Sequence, residues 1–165
     1  MSQFTFRPAQ DADWPVMAGL LAGSGLQLVG AREHLKHFLV VLDEEGLLGC
    51  AGLERYGDTG LLRSVAVAES ERGQGHGQML VEKLLLQAQQ DGVRSVVVLA
   101  QETEDFFRKF DFEEIRFDRL PPQVQDSVEF KFAAPDRTTA MLLNLAVAQG
   151  TSQPVPARSA APEKS

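Results

Sequence analysis

The chain has no second cysteine, no cluster of lysine and arginine, and no run of apolar residues long enough to span a bilayer. Each absence removes a class of protein. With Cys50 alone no intramolecular disulfide can form, and its apolar neighbours mark it as a small core residue rather than a nucleophile. The formal net charge of −7 would repel nucleic-acid phosphates, and no basic patch offsets it. Neither a transmembrane span nor the layout of a secretory leader is present, so the expectation is a soluble, cytoplasmic protein that engages neither nucleic acid nor membrane. The 165 residues, 44% of them hydrophobic, suit one domain with a real core, placed at residues 1–145. Residues 146–165 are rich in Ala, Pro, Ser and Gln without an apolar period, cannot offset their ordering entropy, and are predicted to be a disordered tail. No internal repeat is visible.

What stands out is Leu61-Leu62-Arg63-Ser64-Val65-Ala66-Val67, followed by Arg72-Gly73-Gln74-Gly75-His76-Gly77 and an amphipathic run. It reads as strand, anion-binding loop, helix. Glycines let backbone N–H groups approach a ligand that a Cβ would hold off, and the unpaired N–H groups opening the next helix favour an anion such as phosphate. Two nucleotide-binding loops fail on spacing. A dinucleotide fingerprint counted from Gly75 and Gly77 needs glycine where Leu80 stands, and the Gly-Lys-Ser/Thr of a P-loop is missing. Val81, Leu84, Leu85 and Ala88 recur at helical spacing, and Gly92 is placed to end that helix at its C′ position. His76 reads as a solvated helix-start residue, with a donor to phosphate as the alternative.

The remaining elements follow from period and punctuation. Strands are predicted at residues 4–7, 38–42, 47–54, 61–67, 95–99, 112–117 and 138–145, and helices from a cap at Asp11 or Asp13 to about Leu21, over 32–36, after the glycine loop, and over 104–110 with Thr103 as cap. Pro121-Pro122 starts an irregular excursion before the last strand.

The Arg-x-x-Gly-x-Gly reading of the loop, after a strand ending Val-Ala-Val, resembles the acyl-CoA motif of the GNAT superfamily of N-acyltransferases. The element order β-α-α-β-β-β-α-β-α-β-β is similar too, so the resemblance covers about residues 3–145 and implies an α/β fold with a mixed sheet. It implies acetyl-CoA as co-substrate, a small-molecule amine as acceptor, and leaves room for a homodimer. It assigns cofactor contacts to Val65, Ala66 and Val67, whose amides would pair with the pantetheine arm and polarise the thioester, and to Arg72, Gly73, Gln74, Gly75, His76, Gly77 and Gln78. Glu69 and His76 depart from the family, which favours Pro and a small aliphatic residue there. Several segments look like GNAT proteins that accompany arsenic-resistance operons: residues 33–40, 52–58, 61–64 and 104–107. Ala134 and Ala140 stand where some of those relatives carry Cys, which sets thiol-based arsenic chemistry aside in favour of acetylating a small, amino-acid-like amine.

Acetyl transfer needs a neutral amine, an oxyanion site and a proton for the departing thiolate. The motif strand lacks the family's carboxylate, since Leu61 and Leu62 are apolar. Glu54 is the replacement base, or else a solvated strand-end residue or the partner of Arg55 or Arg63. The family's Phe-Tyr-x-x-x-Gly-Phe appears as Phe106-Phe107-Arg108-Lys109-Phe110-Asp111-Phe112, so Phe107 has no phenol. The thiolate's proton then comes from water or from Tyr56, while Phe107 packs on the pantetheine or in the core. Asp111 replaces the turn glycine and tolerates a left-handed conformation. A charged Arg63 on a buried strand demands a partner, either Glu54 or a substrate carboxylate. His34 and His37 share one helix face in the region that covers substrate in GNATs, with no ligand set for a metal. An acyl-CoA-binding module without turnover and a peptide acetyltransferase are the rival readings.

Overall fold

The computed structural model describes residues 3–145, and the predicted tail at 146–165 lies outside them. Seven strands form one sheet in the order β1-β2-β3-β4-β5-β7-β6, from β1 (Thr5–Pro8), β2 (Phe38–Asp43), β3 (Gly46–Tyr56), β4 (Thr59–Val67), β5 (Ser95–Ala100), β6 (Glu113–Glu114) and β7 (Thr139–Asn144). All neighbours are antiparallel except β4 and β5, whose parallel pairing requires a crossover. Helix α2 (His76–Gln90) makes that crossover.

Alternation along the strands sorts side chains to two faces. Leu62, Val96 and Val98 pack with Leu80, Val81, Leu84 and Ala88 of α2 and with Phe107 of α3 (Glu104–Arg108). Their neighbours Leu61 and Val97 point the other way, toward Leu120, Val124 and Ala140. On that second face α1 (Trp14–Gly23) buries Met17 and Leu21 against Phe38, Val40 and Cys50. Gly52 is required there. A Cβ at Gly52 would run into the Phe38 ring directly opposite.

Helix α2 ends as its sequence dictates: Gly92 takes φ 93°, its N–H bonds to the Gln89 carbonyl, and the Val93 N–H bonds to that of Ala88 at 2.9 Å. Asp111 adopts φ 73°, the expected left-handed turn. Three local expectations are corrected. The strand predicted at 112–117 shrinks to Glu113–Glu114, because Phe112 turns into the core and Phe117–Arg119 coils into a 3-10 turn. Neither aspartate caps α1 through its side chain, since Asp11–Asp13 form a 3-10 turn and Arg7 and the Gln10 N–H hold the Asp13 carboxylate. Thr103 makes no side-chain cap either, and α3 stops at Arg108. The excursion after Pro121 contains a 3-10 turn, Pro122–Asp126, and a short helix α4, Val128–Lys131. No described helix is long and apolar enough to cross a membrane.

Candidate active site

Strands β4 and β5 pair only from Thr59↔Ser95 to Leu62↔Val98, although β4 runs on to Val67 and β5 to Ala100. The sheet opens beyond that point. A bulge accompanies the divergence: on β3 Gly52 faces Arg63 and Cys50 faces Ala66, so Ser64 and Val65 together stand opposite Ala51. Ser64 absorbs the extra residue with φ 61°. The opening is a cavity of about 460 Å³ lined along β4 by Val65, Ala66 and Val67, at the helix start by Gly77, and by Phe107. Arg63, Gln27 and Glu129 line it as well, with Leu26 and Phe132.

At the near end the loop enters α2 through two left-handed glycines, Gly73 at φ 82° and Gly75 at φ 87°. No heavy atom lies within 4 Å of the Cβ that either lacks, which leaves a bare backbone cradle. The helical bond series starts only with Met79 N–H to the Gly75 carbonyl, so the amides of His76, Gly77 and Gln78 have no acceptor within the helix. Arg72 braces the loop by donating from Nε to the Val67 carbonyl at 3.0 Å. Of this segment only Gly77 lines the cavity, so the cradle adjoins the unpaired strand edge through the helix start, an arrangement that fits a phosphate-bearing cofactor with an extended amide arm.

The charged residues gather on the second face of the sheet. Glu54 and Arg63 meet at 2.6 Å between Oε2 and Nη1, both essentially without exposure. Tyr56 donates its hydroxyl to Glu54 Oε1. Arg63 is satisfied further by Ser64 Oγ on Nε at 2.9 Å, by the Gln27 carbonyl on Nη2 at 3.0 Å, and by Glu129 Oε2 at 3.3 Å. Gly30, at φ 84°, closes over the pair, for a Cβ there would sit 3.1 Å from Arg63 Nη1 and 2.7 Å from Val128. Burial, and then the hydrogen bond to Glu54, push the Tyr56 phenol up to about 12. Burial likewise raises the Glu129 carboxyl above the usual glutamate range, against the pull of Arg63 and with the push of Glu54.

The structure therefore brings Glu54, Arg63 and Tyr56 together: Glu54 is buried rather than solvated, and it is the first of the two partners expected for Arg63 that is found in contact with it. Glu54 and Tyr56 do not reach the cavity wall; Arg63 does. His34 and His37 do not line it either. The His34 ring lies edge-on to Tyr56 at 5.9 Å. Burial, with Arg55, Lys36 and His34 nearby, holds His37 below the usual imidazole value. His76 corrects an expectation. It is buried rather than solvated, its ring edge-on to Phe4 at 4.6 Å and Nε2 3.6 Å from Glu71. Cys50 is buried too, its thiol pushed up to about 12 and bonded to the Ser64 carbonyl. Among the described residues no three His, Cys, Asp or Glu side chains converge as a metal site. Sequence reasoning missed Ser64, Gln27 and Glu129. Only the last carried a signal, in Ser127-Val128-Glu129, where the Ser127 hydroxyl accepts the Glu129 N–H at 3.0 Å as a helix cap.

A sheet that parts over a glycine loop, with a cavity running from a helix start to a buried ion pair, defines a class of acyl-carrying transferase. The acetyltransferase (GNAT) domain family matches residues 34–114. An uncharacterized N-acetyltransferase of Chlorobaculum tepidum is 31% identical over 108 residues, 62% of this chain and 69% of that protein. An amino-acid acetyltransferase of Neisseria meningitidis is 27% identical over 71% of this chain, which spans only 29% of that longer protein. Among solved structures, the Mycobacterium tuberculosis protein Rv2747 in complex with CoA has a TM-score of 0.72 and 28% identity over 86% of this chain and 99% of that one. N-acetylglutamate synthase of Neisseria gonorrhoeae, complexed with coenzyme A and N-acetyl-glutamate, shares the fold at a TM-score of 0.74 and 20% identity, over 88% of this chain and 36% of that one. The chain belongs to the GNAT superfamily of N-acetyltransferases.

Proposed function

We propose that the chain transfers acetyl from acetyl-CoA to the amine of a small, amino-acid-like molecule by direct attack. One observation carries this reading: Glu129, its carboxylate 3.3 Å from the covered Arg63 guanidinium and its own side chain partly exposed, lines the same cavity that follows the open edge of β4. The ammonium of an amino-acid-like amine is the charge complementary to that carboxylate. The relatives named amino-acid acetyltransferases support the same acceptor class.

Acetyl-CoA brings an activated thioester carbonyl. The cradle at Gly73, Gln74 and Gly75 with the first-turn amides of α2 would hold its phosphates, and the edge at Val65, Ala66 and Val67 would align its arm and receive the developing oxyanion charge. Phe107, a cavity residue without a phenol, offers an apolar wall and no proton, so water protonates the leaving sulfur. The segments similar to arsenic-operon GNAT proteins extend the acceptor candidates to phosphorus or arsenic analogues of amino acids.

The test is thiol release from acetyl-CoA with amino acids, those analogues, polyamines, aminoglycosides and short peptides. Turnover of free amino acids or their analogues is the expected result. Preference for peptides would move the acceptor class, and tight acetyl-CoA binding with silence across the panel would favour a binding module.

A further inference from the structure

We propose that Glu129, on the first turn of α4, takes the proton from the acceptor amine, and that Glu54 positions it through Arg63. The assignment rests on the small-amine reading above. Two carboxylates contact the Arg63 guanidinium, and their surroundings separate their roles. Glu54 has a side chain 1% exposed, gives one oxygen to Arg63 and the other to Tyr56, and lies beneath Gly30 away from the cavity wall. Glu129 has a side chain 21% exposed, lines the cavity, and has a looser contact with Arg63. A base must reach the substrate proton, and only Glu129 is within the cavity to do so.

Its backbone is held by local contacts. The Ser127 hydroxyl, on a fully buried residue, fixes the Glu129 backbone N–H, and Val128 packs over Gly30, so α4 is tied to the loop that covers the ion pair. The charged and titratable groups around the carboxylate are Arg63 from β4, and Glu54 with its partner Tyr56 from β3. Burial together with the Glu54 charge lifts the Glu129 carboxyl, which brings its proton affinity closer to that of an amine. An ammonium entering beside it loses one proton to the carboxylate and becomes a neutral amine with a free lone pair. The nitrogen then bonds to the acetyl carbon as the carbon–sulfur bond breaks with its electron pair on sulfur. The second nitrogen proton goes to solvent, sulfur takes one from solvent, and Glu129 returns its own there.

Two measurements test this. In the first, the side-chain carboxyl carbons of the free protein are titrated by NMR, with Glu129→Gln identifying the signal; Glu129 should titrate above the ordinary glutamate range and move down in Glu54→Gln. A Glu129 signal in the ordinary range overturns the proposal whether or not an acceptor has been found. In the second, kcat/KM is followed against pH with an amine that the wild type acetylates. Glu129→Gln should lose roughly 10²- to 10⁴-fold and its acid limb, with acetyl-CoA affinity unchanged and part of the rate restored in Glu129→Asp. Glu54→Gln should keep the limb and move it to lower pH. A wild-type profile in Glu129→Gln overturns the assignment, whereas a wild type silent on every small amine counts against the acceptor class and leaves the titration to decide Glu129.

Discussion

At the scale of single residues, Arg63 decides how the second face of the sheet is held. Its side chain has no exposure and donates from Nε and both terminal nitrogens, so its charge is compensated rather than solvated. Removing one member of such a pair strands the other. Arg63→Met should destabilise the fold by about 3–5 kcal/mol in urea unfolding, and adding Glu54→Gln should recover most of that loss, because the uncompensated carboxylate is what costs. A double variant as unstable as the sum of the singles would show that the two do not act as a pair. Tyr56 gives a second, independent reading of the same cluster, since it is the only tyrosine in the chain. Its absorbance change on ionisation should be centred near the value of about 12 to which burial and Glu54 raise it, not near 10. With a folded pKa above the unfolded one, Tyr56 contributes stability that is intact below the unfolded value and lost as pH rises toward 12. Full ionisation of Tyr56 in the native protein near pH 10 would contradict its hydrogen bond to Glu54.

At the scale of elements, α2 and the loops at its two ends separate folding from binding. Gly75 at the start and Gly92 at the end have nearly equal positive φ, 87° and 93°, and neither has atoms within 4 Å of its missing Cβ. A side chain at either position meets backbone strain of about 1–2 kcal/mol and little else. Gly75→Ala and Gly92→Ala should therefore lose similar stability, while only Gly75→Ala weakens acetyl-CoA in a calorimetric titration. Equal acetyl-CoA affinity in the two variants would remove the loop from the phosphate site. The same helix shows why much of the fold was legible in the sequence. Its apolar stripe at Val81, Leu84, Leu85 and Ala88, its opening glycines and its closing Gly92 are local signals, and all three hold in the structure. The bulge at Ser64 was not legible, because it depends on a register between β3 and β4 that no local pattern encodes. His76 was misread for a related reason. A helix-start histidine looks solvated until the first strand brings Phe4 across it. Glu129 was passed over inside an excursion without period, where only tertiary packing sets α4 against Arg63.

At the scale of the molecule, the chain's charge works against the acetyl-CoA proposed for it. The formal net charge of −7 repels a polyanion, and the segment leading into the cradle sets Glu69 and Glu71 beside Arg72. Attraction at the loop must come from oriented backbone amides, which act at contact distance and carry no net charge. Two electrostatic effects of different range therefore oppose each other. The long-range repulsion reaches about 30 Å at 0.01 M salt and about 8 Å at 0.15 M, whereas hydrogen bonds from the first turn of α2 are barely screened. Association of acetyl-CoA should accordingly quicken as ionic strength rises over that interval, with dissociation changing less, the reverse of a site built on lysine and arginine. Stopped-flow binding at constant pH reads both rates. An association rate that falls with salt would mean that the local field of Arg72 outweighs the whole-molecule charge, and Arg72→Gln would then have to reverse the slope.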